Sequence, residues 1–230
     1  MFFRILALGA FFCMTGTVLA ADPVDEVNDA AKKLADTGNY SWRSVTNDAS
    51  NSLTVVVDGQ TQEDGSTLIK LTGGGSYAQI ALRGRNSVLN VGGGWQTADE
   101  AADQPQAARF MSSVMSPALV ASQIASRLDD LKPQGNVFTA QLSGGEVSNL
   151  LRPLYSLDAI RTRGMNNAGA KASIKFWIKD GLLEKFQVHI TGTSSRGGAD
   201  TAVDRTVTVD FRDVGKTKVS LPEQAKKKLE

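Results

Sequence analysis

Few side chains in this sequence could do chemistry, and the only histidine, His189, comes first among them. In the alternating segment from Leu182 to Thr191 it shares the polar positions with Lys185 and Gln187, which predicts a solvated histidine on the outer face of a strand. A Ser-His-Asp triad would need this histidine, and the sequence has no Gly-x-Ser-x-Gly elbow. The pattern therefore favours a protein without enzymatic activity.

Metal and phosphate sites are not indicated either. Cys13 is the only cysteine, so one histidine and one cysteine leave no zinc set, and no Asp-x-Asp-x-Asp-Gly calcium loop is present. Gly73-Gly74-Gly75-Ser76 lacks the Gly-Lys-Ser/Thr ending of a phosphate loop and leads into a strand pattern. These glycines are typical of turns and bulges, and no cofactor is expected.

Three tryptophans and one arginine remain as candidates for binding. Trp42 lies on the Tyr40 face of an early strand, and Trp95 follows a glycine cluster at the end of a hairpin. Both fit the lining of a cavity or an ordinary core. Trp177 points away from the apolar face of its strand. Arg43 fits either a charge-assisted bond to a helix or lid, or a solvated surface position.

The elements that must position these side chains are organised around Ala172 to Leu221. This stretch predicts three long strands with one apolar and one polar face, and Asp180-Gly181 supplies a tight hairpin turn. The apolar positions of these strands include Ile174, Phe176, Ile178, Phe186, Val188, Ile190, Val207, Val209 and Phe211.

The rest of the chain predicts a helix, a strand meander, and a helical middle segment. The first helix begins at the Asp22-Pro23 cap and ends before Gly38. Two helices, Gln106–Met115 and Ser116–Leu131, precede a strand at Asn136–Leu142, and residues 152–171 are assigned to no element. A short helix starts at Leu221-Pro222-Glu223. The predicted meander strands are Tyr40–Thr46, Leu53–Val57, Thr67–Thr72, Ser76–Leu82 and Asn86–Val91.

Residues 1–20 read as a cleavable signal peptide. Arg4 provides the positive charge, Ile5 to Met14 the apolar stretch, and Val18-Leu19-Ala20 a cleavage site after Ala20. The expected mature chain, 21–230, is a single domain without cysteine and with 24 basic and 24 acidic residues, because the leader removes only Arg4 from the 25 and 24 of the full chain. This balance argues against nucleic acid as a partner, and the expected location is the periplasm or the medium.

The order of elements resembles the outer-membrane lipoprotein carrier superfamily, which includes the LolA-like carriers and the mycobacterial LppX and LprG lipoproteins. The resemblance rests on the first helix followed by Tyr40-Ser-Trp-Arg43, on the strand–Asp-Gly–strand unit Phe176–Phe186, and on the closing segment Val209–Pro222. It implies an α+β fold, in which a curved antiparallel sheet (an incomplete β-barrel) is covered on its concave face by helices. It also implies that acyl chains bind between them. The absence of a lipoprotein cysteine departs from the membrane-anchored members.

Two functions remain open on these residues. The first is an exported carrier that holds an acyl chain or lipidated ligand between sheet and helices, where the stripe Val120, Ile124, Leu128 covers the phenylalanines. The second is a non-enzymatic interaction or sensor domain of the envelope with the same fold and a filled core, bound to a partner protein. The residues predicted to line the ligand site are Trp42, Leu53, Val55, Trp95, Phe110, Val120, Ile124, Phe176, Phe186, Val209 and Phe211.

Overall fold

A computed structural model describes residues 22–73, 75–101, 103, 111, 115–147, 169–196 and 199–230. Within these ranges eleven strands form one sheet, in the order β6-β5-β4-β3-β2-β1-β11-β10-β9-β8-β7, and every pairing is antiparallel. The predicted signal peptide, most of the helix predicted at Gln106–Met115, and most of residues 152–171 lie outside the described ranges.

The strands that the sequence predicts are present, but β2, β10 and β11 are four to seven residues longer than predicted, and β6 and β7 are additional short strands. Their bounds are β1 Tyr40–Asp48, β2 Leu53–Thr61, β3 Ser66–Gly73, β4 Ser76–Arg83, β5 Asn86–Asn90, β6 Trp95–Thr97, β7 Lys132–Gln134, β8 Val137–Ser143, β9 Lys171–Lys179, β10 Leu182–Arg196 and β11 Ala199–Arg212. The turn between β9 and β10 has Asp180 at φ 54° and Gly181 at φ 70°, the left-handed pair that a two-residue hairpin loop requires.

Three helices of the described chain frame this sheet: α1 Pro23–Thr37, α2 Pro117–Ala125 and α3 Glu223–Leu229. Asp22 caps α1 by accepting a hydrogen bond from the Val24 amide at 2.8 Å, and Gly38 ends it at φ 63°. Both caps agree with the sequence prediction.

The second middle helix is shorter than the sequence predicts, because α2 ends at Ala125 instead of Leu131. Asp129 and Asp130 follow it, and carboxylates at a helix C-terminus are disfavoured by the helix dipole. The chain turns instead and forms β7, in which Pro133 occupies an edge strand. An edge strand tolerates proline because no partner needs the missing amide.

The sheet is open, since its edge strands β6 and β7 do not pair with each other. A sheet of this width curls, because neighbouring strands rotate by roughly 20–25° and open sheets rarely exceed about ten strands without curling. α1 packs on β9 and β10, and α2 packs on α1, so these helices lie on the face that carries the main core. The predicted fold class is confirmed: an open, curved antiparallel sheet with helices on its concave face.

A separate, smaller core lies on the opposite, convex face. There α3 packs over the strands β4, β5 and β6. The Asn86 side-chain amide donates to the Leu229 carbonyl at 3.2 Å, and Lys228 pairs with Glu100. The residues of this convex cluster are Leu68, Ala81, Val88, Trp95, Leu221, Ala225 and Leu229.

Gly59 is the one position of β2 where the concave face leaves no room for a side chain. It pairs with Trp42 across β1 and β2, and a Cβ added to it would lie 2.0 Å from Cζ2 of that indole. The Trp42 ring therefore lies flat on the backbone of β2.

We expect Gly59→Ala to destabilise the fold by roughly 1–3 kcal/mol, because the added methyl must displace the buried indole. Urea unfolding followed by tryptophan fluorescence measures this change. Gly93→Ala is the matched control, since a Cβ there meets nothing within 4 Å. Equal unfolding midpoints for the two variants would contradict the flat packing of Trp42.

Candidate ligand-binding face

Aromatic side chains form a row across four strands of the concave face. Trp42 is paired with Phe211 across β1 and β11, and Phe186 with Phe176 across β10 and β9. Ring centroids are 5.8 Å apart for Tyr40 with Trp42 and with Phe211, 6.2 Å for Phe186 with Phe211, and 6.3 Å for Phe176 with Phe186. These separations lie in the range of favourable aromatic pairs. The period-two pattern thus brings together the three phenylalanines that it predicts.

The helix that lies directly against β9 and β10 is α1, through Val27, Ala31 and Leu34. The sequence assigns that cover to the Val120–Ile124–Leu128 stripe, and these residues are buried in the same core cluster as Phe176, Phe186 and Phe211. α2 also packs on α1, where the Ser122 hydroxyl donates to Asn28 Oδ1 at 3.0 Å. The reason is composition: α2 is apolar almost all round, so it can be buried between other elements, whereas α1 has a single apolar stripe.

A hydrogen bond between the Tyr40 hydroxyl and the Ser116 hydroxyl ties the start of α2 to β1. Burial raises the pKa of Tyr40, and the bond to Ser116 offsets part of that rise. The phenol therefore stays neutral over the physiological range and serves as a structural anchor.

Around Phe176 and Phe186 the concave face is sealed. Five of the predicted ligand-site residues expose 0% of their surface, which leaves no contact with solvent or with an internal void wide enough for water. They lie in one cluster and belong to solid packing: Val120, Ile124, Phe176, Phe186 and Val209.

Over β1, β2 and β3 the same face is less completely covered. Trp42 and Phe211 retain 5% and 6% exposure, Val55 retains 5%, and Leu53 and Val57 are half-buried. Strand register places all of these on the concave side, because Val55 and Val57 lie opposite Thr46 and Ser44, and Trp42 lies opposite Phe211. We call the concave side chains of β2, Leu53, Val55 and Val57, the β2 wall.

Trp95 does not share this face. It pairs with Asn90 on β5 and belongs to the convex cluster beneath α3, so the structure does not bring it together with the other predicted residues. The sequence assigns no packing surface to the terminal helix, and Trp95 forms part of the surface on which that helix packs. Phe110 lies outside the described residues.

The concave face of β1 changes from aromatic to polar along the strand, a feature that the sequence reading missed. After Tyr40 and Trp42 come Ser44, Thr46 and Asp48, and all three are buried. Asp48 lies opposite Arg205 on β11, and Arg205 Nη2 donates to Asp48 Oδ2 at 2.9 Å. The sequence does contain a signal for this pair, because Arg205 continues the inward period of Val207, Val209 and Phe211.

The pKa of the Asp48 carboxyl lies below its ordinary value. Burial raises it, but hydrogen bonds from Arg205 and Asn51 and the charge of Arg205 together lower it more. The Asn51 side-chain amide donates to Asp48 Oδ2 at 3.1 Å. The carboxyl is therefore ionised at neutral pH and acts only as an acceptor.

Two polar atoms of this buried row have no hydrogen-bond partner in the described structure: Ser44 Oγ and Asp48 Oδ1. Both side chains are at least 98% buried. We call Ser44, Thr46 and Asp48 the polar row of β1. It lies beside the β2 wall, because Ser44 is opposite Val57 and Asp48 is opposite Leu53.

The remaining candidates lie on the outer face. His189 is partly exposed and its Nε2 lies 2.9 Å from Asp204 Oδ1, and Lys185 lies 5.1 Å above the Trp177 ring. Arg43 pairs with Asp58 of the neighbouring strand at 3.3 Å and does not hold a described helix. The outward face of β10 predicted for His189 agrees with the structure.

Among the described residues, no group of three or more His, Cys, Asp or Glu side chains could hold a metal ion. In the same part of the chain, no helix is both long and apolar enough for a membrane span.

Comparison with known proteins yields one likeness to report. No family model matches the sequence, and no curated protein matches it. The crystal structure of LprF from Mycobacterium bovis is similar, with 12% sequence identity and a TM-score of 0.47, over 88% of this chain and 97% of that chain. At this identity and TM-score, no function is inferred from it.

We expect Asp48→Asn to destabilise the protein by roughly 3 kcal/mol at pH 7, because it removes the buried carboxylate charge that accepts a hydrogen bond from the Arg205 guanidinium. The lowered pKa sets the pH dependence. Asp48 contributes to folding stability at pH values above its unfolded-state pKa of about 3.9. This contribution is lost as the pH falls through the lower pKa of the folded state. The difference between the two proteins should therefore shrink between pH 5 and pH 2 in urea unfolding.

Asp58→Asn is the control for this experiment. It breaks a half-exposed pair with Arg43, and such pairs contribute about 0–1 kcal/mol. A difference between Asp48→Asn and the unaltered protein that stays constant with pH would show that the ion pair contributes no stability.

Proposed function

We propose that this protein is an exported binding protein of the carrier type, which holds an apolar ligand such as an acyl chain or a lipidated polypeptide against its concave face. The ligand lies over β1, β2 and β3, along the β2 wall and the edges of Trp42 and Phe211. The observation that carries the proposal is the unequal cover of one continuous apolar face. Phe176 and Phe186 on β9 and β10 are fully buried, whereas Leu53 and Val57 on the same face of β2 are only half-buried.

The physical reason is that apolar surface left uncovered beside a packed core is unfavourable, by roughly 25 cal/mol per Å². A ligand with an alkyl chain removes that surface from water. Val55 and Val57 present stiff branched side chains at every second position of β2, which form a smooth apolar wall suited to a flexible chain. No described polar side chain interrupts the β2 wall between Leu53 and Val57 on that face.

A second candidate function is an interaction or sensor domain of the envelope that binds a partner protein and has a filled core. The sealed region over β9 and β10 favours it, because Phe176, Phe186 and Val209 leave no room for a ligand there. In this alternative, the half-buried side chains of Leu53 and Val57 on β2 belong to the ordinary protein surface and do not line a ligand site. Neither proposal involves catalysis.

Uptake of the neutral fluorescent dye N-phenyl-1-naphthylamine separates the two candidates. We expect the purified mature protein to bind the dye, and Val57→Trp to reduce this binding severalfold with little loss of stability, because Val57 is half-buried and the larger ring fills the proposed site. Dye titration and urea unfolding measure the two effects.

Val56→Trp is the matched control. Val56 is also half-buried, but it points to the outer face of β2 and pairs with Val45 and Thr72. Its substitution should leave dye uptake unchanged. A protein that takes up no dye, or equal loss in the two variants, would remove the support for a carrier and favour the interaction domain.

We further propose that the chain is exported after cleavage behind Ala20, which leaves the single domain 21–230. The Val18-Leu19-Ala20 sequence supports this proposal. N-terminal sequencing of protein secreted from an expression host should give Ala21 as the first residue. Retention of Met1 in a membrane fraction would contradict it.

A further inference from the structure

Charged residues are sorted along the strands of the meander β1 to β6. Successive connections of an antiparallel meander lie at opposite ends of its strands, so the β1–β2, β3–β4 and β5–β6 connections share one end. The sequence around these three connections has no Asp, Glu, Lys or Arg in residues 49–57, 71–82 and 86–98, although such residues make up 21% of the chain. Asp48, which closes β1 at this end, is buried and paired with Arg205. The other charged residues of this part of the chain lie in the middle of strands or toward the other end: Asp58, Glu63, Asp64, Lys70, Arg83, Arg85, Asp99 and Glu100.

The same end carries exposed apolar side chains. Among the described residues only three large hydrophobic side chains are exposed, and two of them, Tyr77 at 48% and Val91 at 49%, belong to this end. Tyr77 is the second residue of β4, and Val91 directly follows β5. Leu53, the first residue of β2, is half-buried and is the outermost member of the β2 wall. We call Leu53, Tyr77 and residues 91–94 the uncharged rim.

The glycines of the rim form a loop that is open on the outside and hydrogen-bonded within. A Cβ added at Gly92, Gly93 or Gly94 would meet nothing within 4 Å, so open space surrounds this loop. The Asn90 side-chain oxygen accepts from the Gly92 amide at 2.8 Å and from the Gly94 amide at 3.4 Å. Because these two amides are already paired, the loop loses less free energy when it moves from water to a less polar medium.

This combination matches the interfacial layer of a lipid bilayer. Charged side chains are costly in the apolar part of a bilayer, whereas the amphipathic ring of a tyrosine is favoured at its interface. Recognition of a peptide uses a groove or an open strand edge, whereas the rim consists of the ends of successive hairpins. A row of uncharged loop ends can enter a bilayer surface together.

From this arrangement we infer that the uncharged rim docks the protein on the surface of a lipid bilayer by apolar contact, with Tyr77 and Val91 in the interfacial layer. The β2 wall extends from Val57 to Leu53 toward this rim, so the proposed ligand face opens onto the docked bilayer. The docking surface does not depend on the proposed carrier function. Only the passage of an acyl chain between the bilayer and the β2 wall rests on it.

Flotation with vesicles of phosphatidylcholine, a lipid without net charge, tests the docking. We expect the mature protein to float with these vesicles equally at low and at high salt, because screening weakens only ionic contacts. Tyr77→Asp combined with Val91→Asp should lower the partition coefficient on the order of tenfold or more, since burial of one such side chain corresponds to about that factor. Uptake of N-phenyl-1-naphthylamine should stay unchanged, because neither side chain belongs to the β2 wall.

Leu119→Asp is the matched control. Leu119 is the third exposed large hydrophobic residue, at 45%, and it lies on α2. It follows Ser116 by three residues, and Ser116 is bonded to Tyr40 at the opposite end of β1. Its substitution should leave flotation unchanged.

A fluorescent label gives a second measurement that does not depend on loss of binding. Cys13 is the only cysteine and lies in the expected leader, so Val91→Cys or Leu119→Cys places a single thiol in the mature chain for a nitrobenzoxadiazole group. Both positions are exposed, so neither substitution removes core packing. The emission should shift to the blue on addition of vesicles with the label at position 91, and should stay constant with the label at position 119.

The possible results separate the docking surface from the carrier. Equal flotation of the Tyr77 and Val91 double variant and the unaltered protein, or a label at position 91 that does not respond to vesicles, would overturn the inference, while dye uptake would still support the carrier. A protein that does not float at all would also overturn it and would favour a protein partner at the rim. Flotation that requires Tyr77 and Val91, in a protein that takes up no dye, would support the docking surface and contradict the carrier.

Discussion

The pairing of β1 with β11 is the contact on which the sheet depends. β1 to β6 form one meander and β7 to β11 another, and within each meander neighbouring strands follow one another along the chain. Among the strand pairings of the described residues, only β1 with β11 joins the two halves, between residues 157 to 171 positions apart. The concave face is therefore continuous because β1 pairs with β11, and we call this strand pair the seam. Pairing strands so far apart in the sequence costs chain entropy, so favourable side-chain contacts must offset that cost.

Two different kinds of contact stabilise the two ends of the seam. At the α2 end, the Tyr40 ring packs tilted against Trp42 and edge-on against Phe211, and its hydroxyl is hydrogen-bonded to Ser116. At the other end, Asp48 pairs with Arg205. Between them the inward side chains of β1 are small and polar, whereas those of β11 are valines. The two strands thus place a buried polar strip on β1 next to a buried apolar strip on β11.

The sequence predicts the local parts of this architecture well and the non-local parts poorly. Alternation and turn residues identify the hairpins, as at Asp180-Gly181, because period and turn chemistry act over a few residues. The partner of a surface depends on tertiary packing, which is why the sequence predicts Trp95 in the ligand site whereas the structure places it in the convex cluster beneath α3. The apolar ligand candidates on β9 to β11 were found, since they follow the period. The alternation does not show that these side chains are packed without space for a ligand.

The polar row of β1 shows why a prediction from alternating hydrophobicity fails for buried polar residues. Period-two reading ranks positions by hydrophobicity, so Ser44 and Thr46 read as a weak strand face and Arg205 as a strand end. Rules based on local sequence are most often violated where a structure serves function. Here the violations are the buried Ser44 hydroxyl and the buried Oδ1 of Asp48, which have no hydrogen-bond partner in the described structure.

The Asp48–Arg205 pair also explains how the seam keeps its register. A slip of one residue would turn every inward side chain of β1 to the outer face, and a slip of two would place Arg205 opposite Thr46 and break the buried ion pair with Asp48. A hydrophobic pair would cost less desolvation but would not penalise the second slip as strongly. The two oxygens of Asp48 therefore have separate consequences. Oδ2, held by Arg205 and Asn51, fixes the alignment of the two meanders, and that alignment holds Oδ1 beside the β2 wall with its capacity unused.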